Sequence, residues 1–180
     1  AQFPAVELED RTSEVSMIAF QGPRAPEMLE RIAPGLAQGL GPFRSTKAQV
    51  ADVEALVGRT GYTGEDGFEL MPAAKDAARL WKALQEQGAV PCGLGARDVL
   101  RLEAGLLLHG TDMDITRNPF EAGLERFVAL DSESVCSDAL RRIQQKGTRQ
   151  QLTGFQLVER GIARHGYPIM HQGKRVGQVT

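Results

Sequence analysis

Between two short apolar, strand-like runs lies Gly58-Arg59-Thr60-Gly61-Tyr62-Thr63-Gly64-Glu65-Asp66-Gly67, a loop with four glycines, two acids and a tyrosine. Glycine at this density admits positive φ and lets a neighbouring main chain or a ligand approach the backbone closely. Such a loop commits its flanks to strands, Glu54 to Arg59 before it and Phe68 to Met71 after it. About thirty residues further on comes a second unusual run, Gly93-Leu94-Gly95-Ala96-Arg97-Asp98-Val99-Leu100-Arg101-Leu102-Glu103-Ala104-Gly105. Together the two runs suggest a site for a small polar ligand.

The remaining elements follow from periodicity. Glu14 to Phe20 reads as a strand broken by Gln21-Gly22-Pro23. Pro23 suits the first turn of a helix, and Ala25, Met28, Leu29 and Ile32 follow at helical spacing. Pro34 to Pro42 reads as a connector, and Ala48 to Val53 pairs with Glu54 to Arg59 as a hairpin. Pro72 opens an amphipathic helix with Ala77, Leu80, Trp81 and Leu84 in one stripe, stopped by Gly88. A further helix spans about Leu94 to Leu107, and His109 to Pro119 is a polar loop. Phe127 to Leu130 and Leu152 to Val158 read as strands, and Ser137-Asp138 caps a helix ended by Gly147. Ile162 to Met170 and Arg175 to Thr180 form a hairpin around Gln172-Gly173. Strands in pairs with segregated helices argue for an α+β fold, an antiparallel sheet with helices on one face.

Several function classes are disfavoured. A net charge of −2 gives no global pull toward nucleic acid or an anionic membrane. Arg141, Arg142, Lys146 and Arg149 read as a solvated helix face. Two cysteines, Cys92 and Cys136, make no disulfide framework, which suits a reduced, cytoplasmic setting. No apolar run approaches the roughly 20 residues that span a bilayer. The acidic N-terminal run, Ala1 to Glu14, has no signal-peptide core. The chain closes in mid-strand at Arg175 to Thr180, so a fragment of a longer protein is expected.

The glycine-rich loop is not a phosphate loop, because no lysine follows its glycines and Glu65 and Asp66 would repel phosphate. It is equally readable as a tight turn. Glu69 lies between Phe68 and Leu70, on the face opposite them. It is either a solvent-facing strand residue or a carboxylate that accepts from a ring N–H and an amino group. In the second helix Arg97, Asp98 and Arg101 share one polar arc. Glu103 falls opposite, among Ala96, Val99, Leu100 and Leu107, where a buried ion pair or a cap to a neighbouring backbone is the expected reading. Arg97, in the first turn, is either a surface arginine or a fork for a carboxylate. Asp112 and Asp114 lack the partners of a calcium loop and read as a polar turn. Neither the histidines nor the cysteines form a catalytic or metal signature.

Arg59 to Leu70, Gly93 to Asp98 and Leu100 to Gly105 closely resemble the aminomethyltransferase (T-protein) family of the glycine cleavage system. Ala19-Phe20-Gln21-Gly22-Pro23 is similar to its ALQGP segment, and Asn118-Pro119-Phe120-Glu121-Ala122-Gly123-Leu124 to its TP-x-E-A-G-L segment. Gly166-Tyr167-Pro168-Ile169 and Arg175 to Thr180 resemble the start of its C-terminal barrel-like domain. The matches run in order over nearly the whole chain. The resemblance implies a partial folate-binding domain over residues 1–135, a connecting helix over 136–150 and a truncated C-terminal β domain over 151–180. It implies tetrahydrofolate as cofactor and a lipoyl carrier protein (H-protein) as partner. The family moves a one-carbon unit from that carrier's aminomethyl-lipoyl arm to the folate, with release of ammonia. By resemblance Glu69 holds the pterin edge, Arg97 anchors the ligand from the far side and Tyr62 packs against it. The family's catalytic aspartate precedes the ALQGP strand, so no catalytic residue is assigned here, and the piece alone is expected to be inactive. His109 stands where many relatives carry tyrosine.

The same module occurs in sarcosine and dimethylglycine dehydrogenases and in a dimethylsulfoniopropionate demethylase. Non-catalytic folate-binding relatives carry a cysteine-containing motif near the loop, which Tyr62 to Asp66 lacks. A ligand-free interaction domain is a further alternative, and unpaired strand edges favour self-association.

Overall fold

The computed structural model describes residues 6–180, so the first five residues of the acidic Ala1 to Glu14 run lie outside the described residues. The chain gathers into two compact units, one ending at Leu106 and the other spanning Leu107–Thr180.

The first unit contains, in order, β1 (Ile18–Gln21), α1 (Ala25–Ile32), α2 (Leu36–Gly39), β2 (Ser45–Val50), β3 (Val53–Gly58), β4 (Gly67–Pro72), α3 (Ala77–Glu86) and α4 (Leu94–Glu103). The strands form one antiparallel sheet in the order β1-β4-β3-β2. Period-two alternation sends Ile18, Phe20, Val53, Ala55, Val57, Phe68 and Leu70 to one face, where all are buried. Ala25, Met28 and Leu29 of α1, Ala37 of α2, and Leu80 and Leu84 of α3 close that face. Phe68, Leu70, Leu29 and Leu80 are fully enclosed, and each such side chain contributes about 1.5–3 kcal/mol.

β2 and β3 are joined by Ala51 and Asp52, with φ of 48° and 61°, the positive-φ pair that matches strand twist in a two-residue hairpin. Pro72 ends β4 opposite Ala55 instead of opening a helix. A 3₁₀ turn over Ala74–Asp76 then leads into α3, whose Leu80 and Leu84 are buried while Trp81 stays 44% exposed. α4 stops at Glu103, short of the expected Leu107. Inside the connector, Glu30 of α1 accepts from the backbone N–H of Gly35 and Gln38 and so caps the short α2. Those bonds, chiefly the one from Gly35, hold the Glu30 carboxyl below its usual range.

The second unit holds a 3₁₀ turn (Glu125–Phe127), α5 (Ser137–Lys146) and the hairpin of β5 (Pro168–His171) and β6 (Lys174–Gln178). Gln172 and Gly173 turn that hairpin with φ of 48° and 75°. The strands expected at Phe127–Leu130 and Leu152–Val158 are absent from the described residues. Apolar alternation alone does not make a strand, and neither segment has a partner strand to complete a ladder. Ser137 does not cap α5; its hydroxyl donates to the carbonyl of Ser132 at 2.6 Å and accepts from the N–H of Ser134 at 3.0 Å. Asp138 pairs instead with Arg141, 2.9 Å away.

Candidate functional site

The second face of the four-stranded sheet carries Ala19 and Gln21 from β1, Glu69 and Met71 from β4, and Leu56 and Gly58 from β3. Glu69 sits opposite Ala19 on one side and Gly58 on the other. Both neighbours have almost no side chain. The half-buried carboxylate therefore stands on the open face with lateral room beside it. The Thr60 hydroxyl donates to its Oε2, which occupies one of its acceptor sites.

The loop between β3 and β4 is tied at its base. Arg59 forks onto Asp66, with Nε to Oδ1 at 3.0 Å and Nη2 to Oδ2 at 2.6 Å. Its Nη1 donates to the carbonyls of Ala37 and Leu40, both at 2.8 Å, which anchors the loop to α2. The paired hydrogen bonds hold the Asp66 carboxyl below its usual range and raise the Arg59 guanidinium further. The acid that sequence reading took as a repellent to phosphate is thus half of an internal clamp.

The loop is then flanked on two sides. On the strand side Gln21 Nε2 donates to the carbonyls of Thr60 at 3.1 Å and Phe68 at 3.0 Å, and Oε1 accepts from the Thr63 hydroxyl at 3.3 Å. A Cβ on Gly61 would collide with that carboxamide, and one on Gly67 would lie 2.7 Å from the Phe20 carbonyl. On the helix side Gly64, at φ of 77°, approaches Ala104 so closely that a Cβ would sit 2.6 Å from the alanine methyl. Close contact thus favours glycine at all three positions, and at Gly64 the positive φ favours it as well.

Tyr62 and Arg97 come together, with the guanidinium 5.0 Å from the ring centroid in a cation–π stack. Gln21, Thr63 and Arg97 also border a hollow of about 500 Å³ beside β1, lined mainly by apolar groups such as Phe20, Met28, Trp81 and Leu84. Neither Glu69 nor Tyr62 lines it. The site residues thus occupy two adjoining places, the open sheet face and the rim of the hollow.

One expectation is overturned. Glu103 is exposed, and Arg101 is the buried charge of α4, 4% accessible. The chain reverses at Gly105, at φ of 70°, and brings the Leu106 carbonyl to Arg101 Nη1, while Nε and Nη2 both meet Asp98 at 2.8 Å. The apolar side chains expected to surround Glu103 are instead exposed at Val99 and Leu100. In the second unit Asp114 accepts from the N–H and hydroxyl of Thr116, and Asp112 from the Leu108 N–H and the Thr180 hydroxyl. Among the described residues no group of three or more His, Cys, Asp or Glu is placed to hold a metal ion.

Sequence reading missed Thr60, Gln21 and the Arg59–Asp66 clamp. A signal existed for Gln21, a long amide directly before Gly22-Pro23 at the end of an apolar strand.

Comparison with known proteins adds three findings. The GCVT N-terminal domain family matches residues 1–132. An aminomethyltransferase of Rubrobacter xylanophilus is 48% identical over 97% of this chain and 48% of its own length. One from Thermosipho melanesiensis is 44% identical over 97% of this chain and 48% of its own length. The chain spans about half the length of the curated relatives it matches. The crystal structure of glycine cleavage system aminomethyltransferase T from Bartonella henselae has a TM-score of 0.50 and 23% identity, over 75% of this chain and 62% of that one. At that identity it supports the fold alone, a partial α+β arrangement with a small second sheet near the C-terminus.

Proposed function

The chain belongs to the GCVT N-terminal domain family, and we propose that it forms one wall of a tetrahydrofolate site in a glycine-cleavage aminomethyltransferase. The observation that carries this reading is Glu69, a carboxylate held by Thr60 on an open sheet face between Ala19 and Gly58. With one lone pair occupied, its remaining acceptor sites still suit the paired N–H donors of an aminopyrimidine edge. Tyr62 packs against the ligand, and Arg97 anchors it from the far side. Stacking on Tyr62 engages the guanidinium face and leaves its N–H edge for a carboxylate such as a folate glutamate tail.

The folate takes up the one-carbon unit from the aminomethyl-lipoyl arm of a carrier protein, and the amine departs as ammonia. The residues of this chain bind and orient; none is assigned the catalytic role, so the chain by itself holds ligand without turning it over.

Titration of the chain with tetrahydrofolate, followed by calorimetry, tests the reading. Glu69→Ala is expected to weaken binding at least about tenfold, the effect of losing hydrogen bonds to a charged acceptor. Unchanged affinity in the variant, or no binding by the parent sequence, overturns it.

A further inference from the structure

Gln21 lies outside the set of ligand-holding residues, yet its carboxamide is the hub of the loop. It ends β1, two residues from Ala19, and reaches across to β4 and the glycine-rich segment. One amide group bonds three residues there, the Thr60 carbonyl, the Phe68 carbonyl and the Thr63 hydroxyl. Thr60 and Phe68 both adjoin Glu69, one through its side chain and the other through the chain. Phe68 precedes Glu69 in β4, and Thr60 donates to the Glu69 carboxylate. Gly61 and Gly67 have no Cβ where the Gln21 side chain passes, so the slot is shaped to the amide.

The geometry points to Gln21 as a positioning residue: through Thr60 it sets the rotamer and plane of the Glu69 carboxylate before a ligand with an aminopyrimidine edge arrives. The inference rests on the folate reading for its ligand, but the positioning is a property of the unliganded chain. An acceptor fixed in advance loses less side-chain freedom on binding, and that saving appears as affinity. Thr60 is the intermediary, with its carbonyl held by Gln21 and its hydroxyl turned to Glu69.

The test uses Gln21→Met, which fills the slot but cannot donate, and Thr60→Val, which keeps the Thr60 carbonyl and removes the hydroxyl. The first readout needs no ligand. Side-chain scalar couplings of Glu69 in solution are expected to report one χ1 rotamer in the parent sequence and averaging in both variants. An unchanged single rotamer in both variants overturns the inference, whether or not folate binds. The second readout is a double-mutant cycle with tetrahydrofolate. Gln21→Met is expected to weaken binding about tenfold in the parent background and to have little further effect beside Glu69→Ala. Equal losses in the two backgrounds would mean a general packing role and would also overturn it. Rotamer averaging in the variants, combined with no tetrahydrofolate binding by the parent sequence, supports the positioning and removes the folate reading.

Discussion

Arg59 and Asp66 close the glycine-rich loop at its base, and that closure is sensitive to acid. The Asp66 carboxyl is held below its usual range by Arg59, so its stabilisation is complete above the unfolded value, near pH 4. It is lost as pH falls through the lower folded value. Asp66 is 44% exposed, so screening limits the contribution to about 1 kcal/mol or less. Asp66→Asn is expected to lower stability by that amount at neutral pH and to remove the matching part of the acid-induced loss. Denaturation curves across pH 2 to 7 compare the two, with the range chosen to bracket ordinary carboxylates at about pH 4. Parallel curves would show that the clamp carries no stability. At this scale Glu69 was legible, since a charge between Phe68 and Leu70 must face away from them. Gln21 was not, because its role depends on Thr60, Thr63 and Phe68, about forty or more residues away in sequence.

The β2–β3 hairpin turns through two residues that both carry side chains at positive φ. Alanine has no polar group to offset that conformation, and the penalty is of the order of 1 kcal/mol. Ala51→Gly is therefore expected to raise stability by about 0.5–1 kcal/mol, read from the midpoint of chemical denaturation. A loss of stability would mean that the greater freedom of glycine in the unfolded chain outweighs the relief. Element boundaries were legible where two signals agreed. Ala25 to Ile32 has helical spacing next to a proline break, although its first-turn proline is Pro26 and the expected Pro23 lies ahead of the N-cap Arg24, and Gln172-Gly173 has turn chemistry between alternating runs. They failed where one signal stood alone, as at Leu152 to Val158. Pro72 misled because a proline that starts helices also fits at the end of a strand. Arg101 misled because the reversal at Gly105, which buries it, lies beyond the helix in which its periodicity was counted.

Across the whole molecule, the proposed roles of Glu69, Tyr62 and Arg97 are to hold a ligand, and no reacting group is assigned. Presented with an aminomethylated lipoyl carrier protein and tetrahydrofolate, the chain alone is expected to release no ammonia above the uncatalysed rate. Sustained release, measured by a coupled ammonia assay, would show that some residue here is catalytic. The first unit's core runs from Ile18 to Leu84 and packs one face of the sheet, leaving the face with Glu69 outside that core. β4 therefore alternates between the two tasks, with Phe68 and Leu70 inward and Glu69 outward. A strand paired one residue out of register would drive the Glu69 charge into the core and expel Phe68 and Leu70. Misregistered molecules thus lose core packing and the outward carboxylate together, so the strand proofreads its own pairing, and any chain folded well enough to persist presents that carboxylate on the open face.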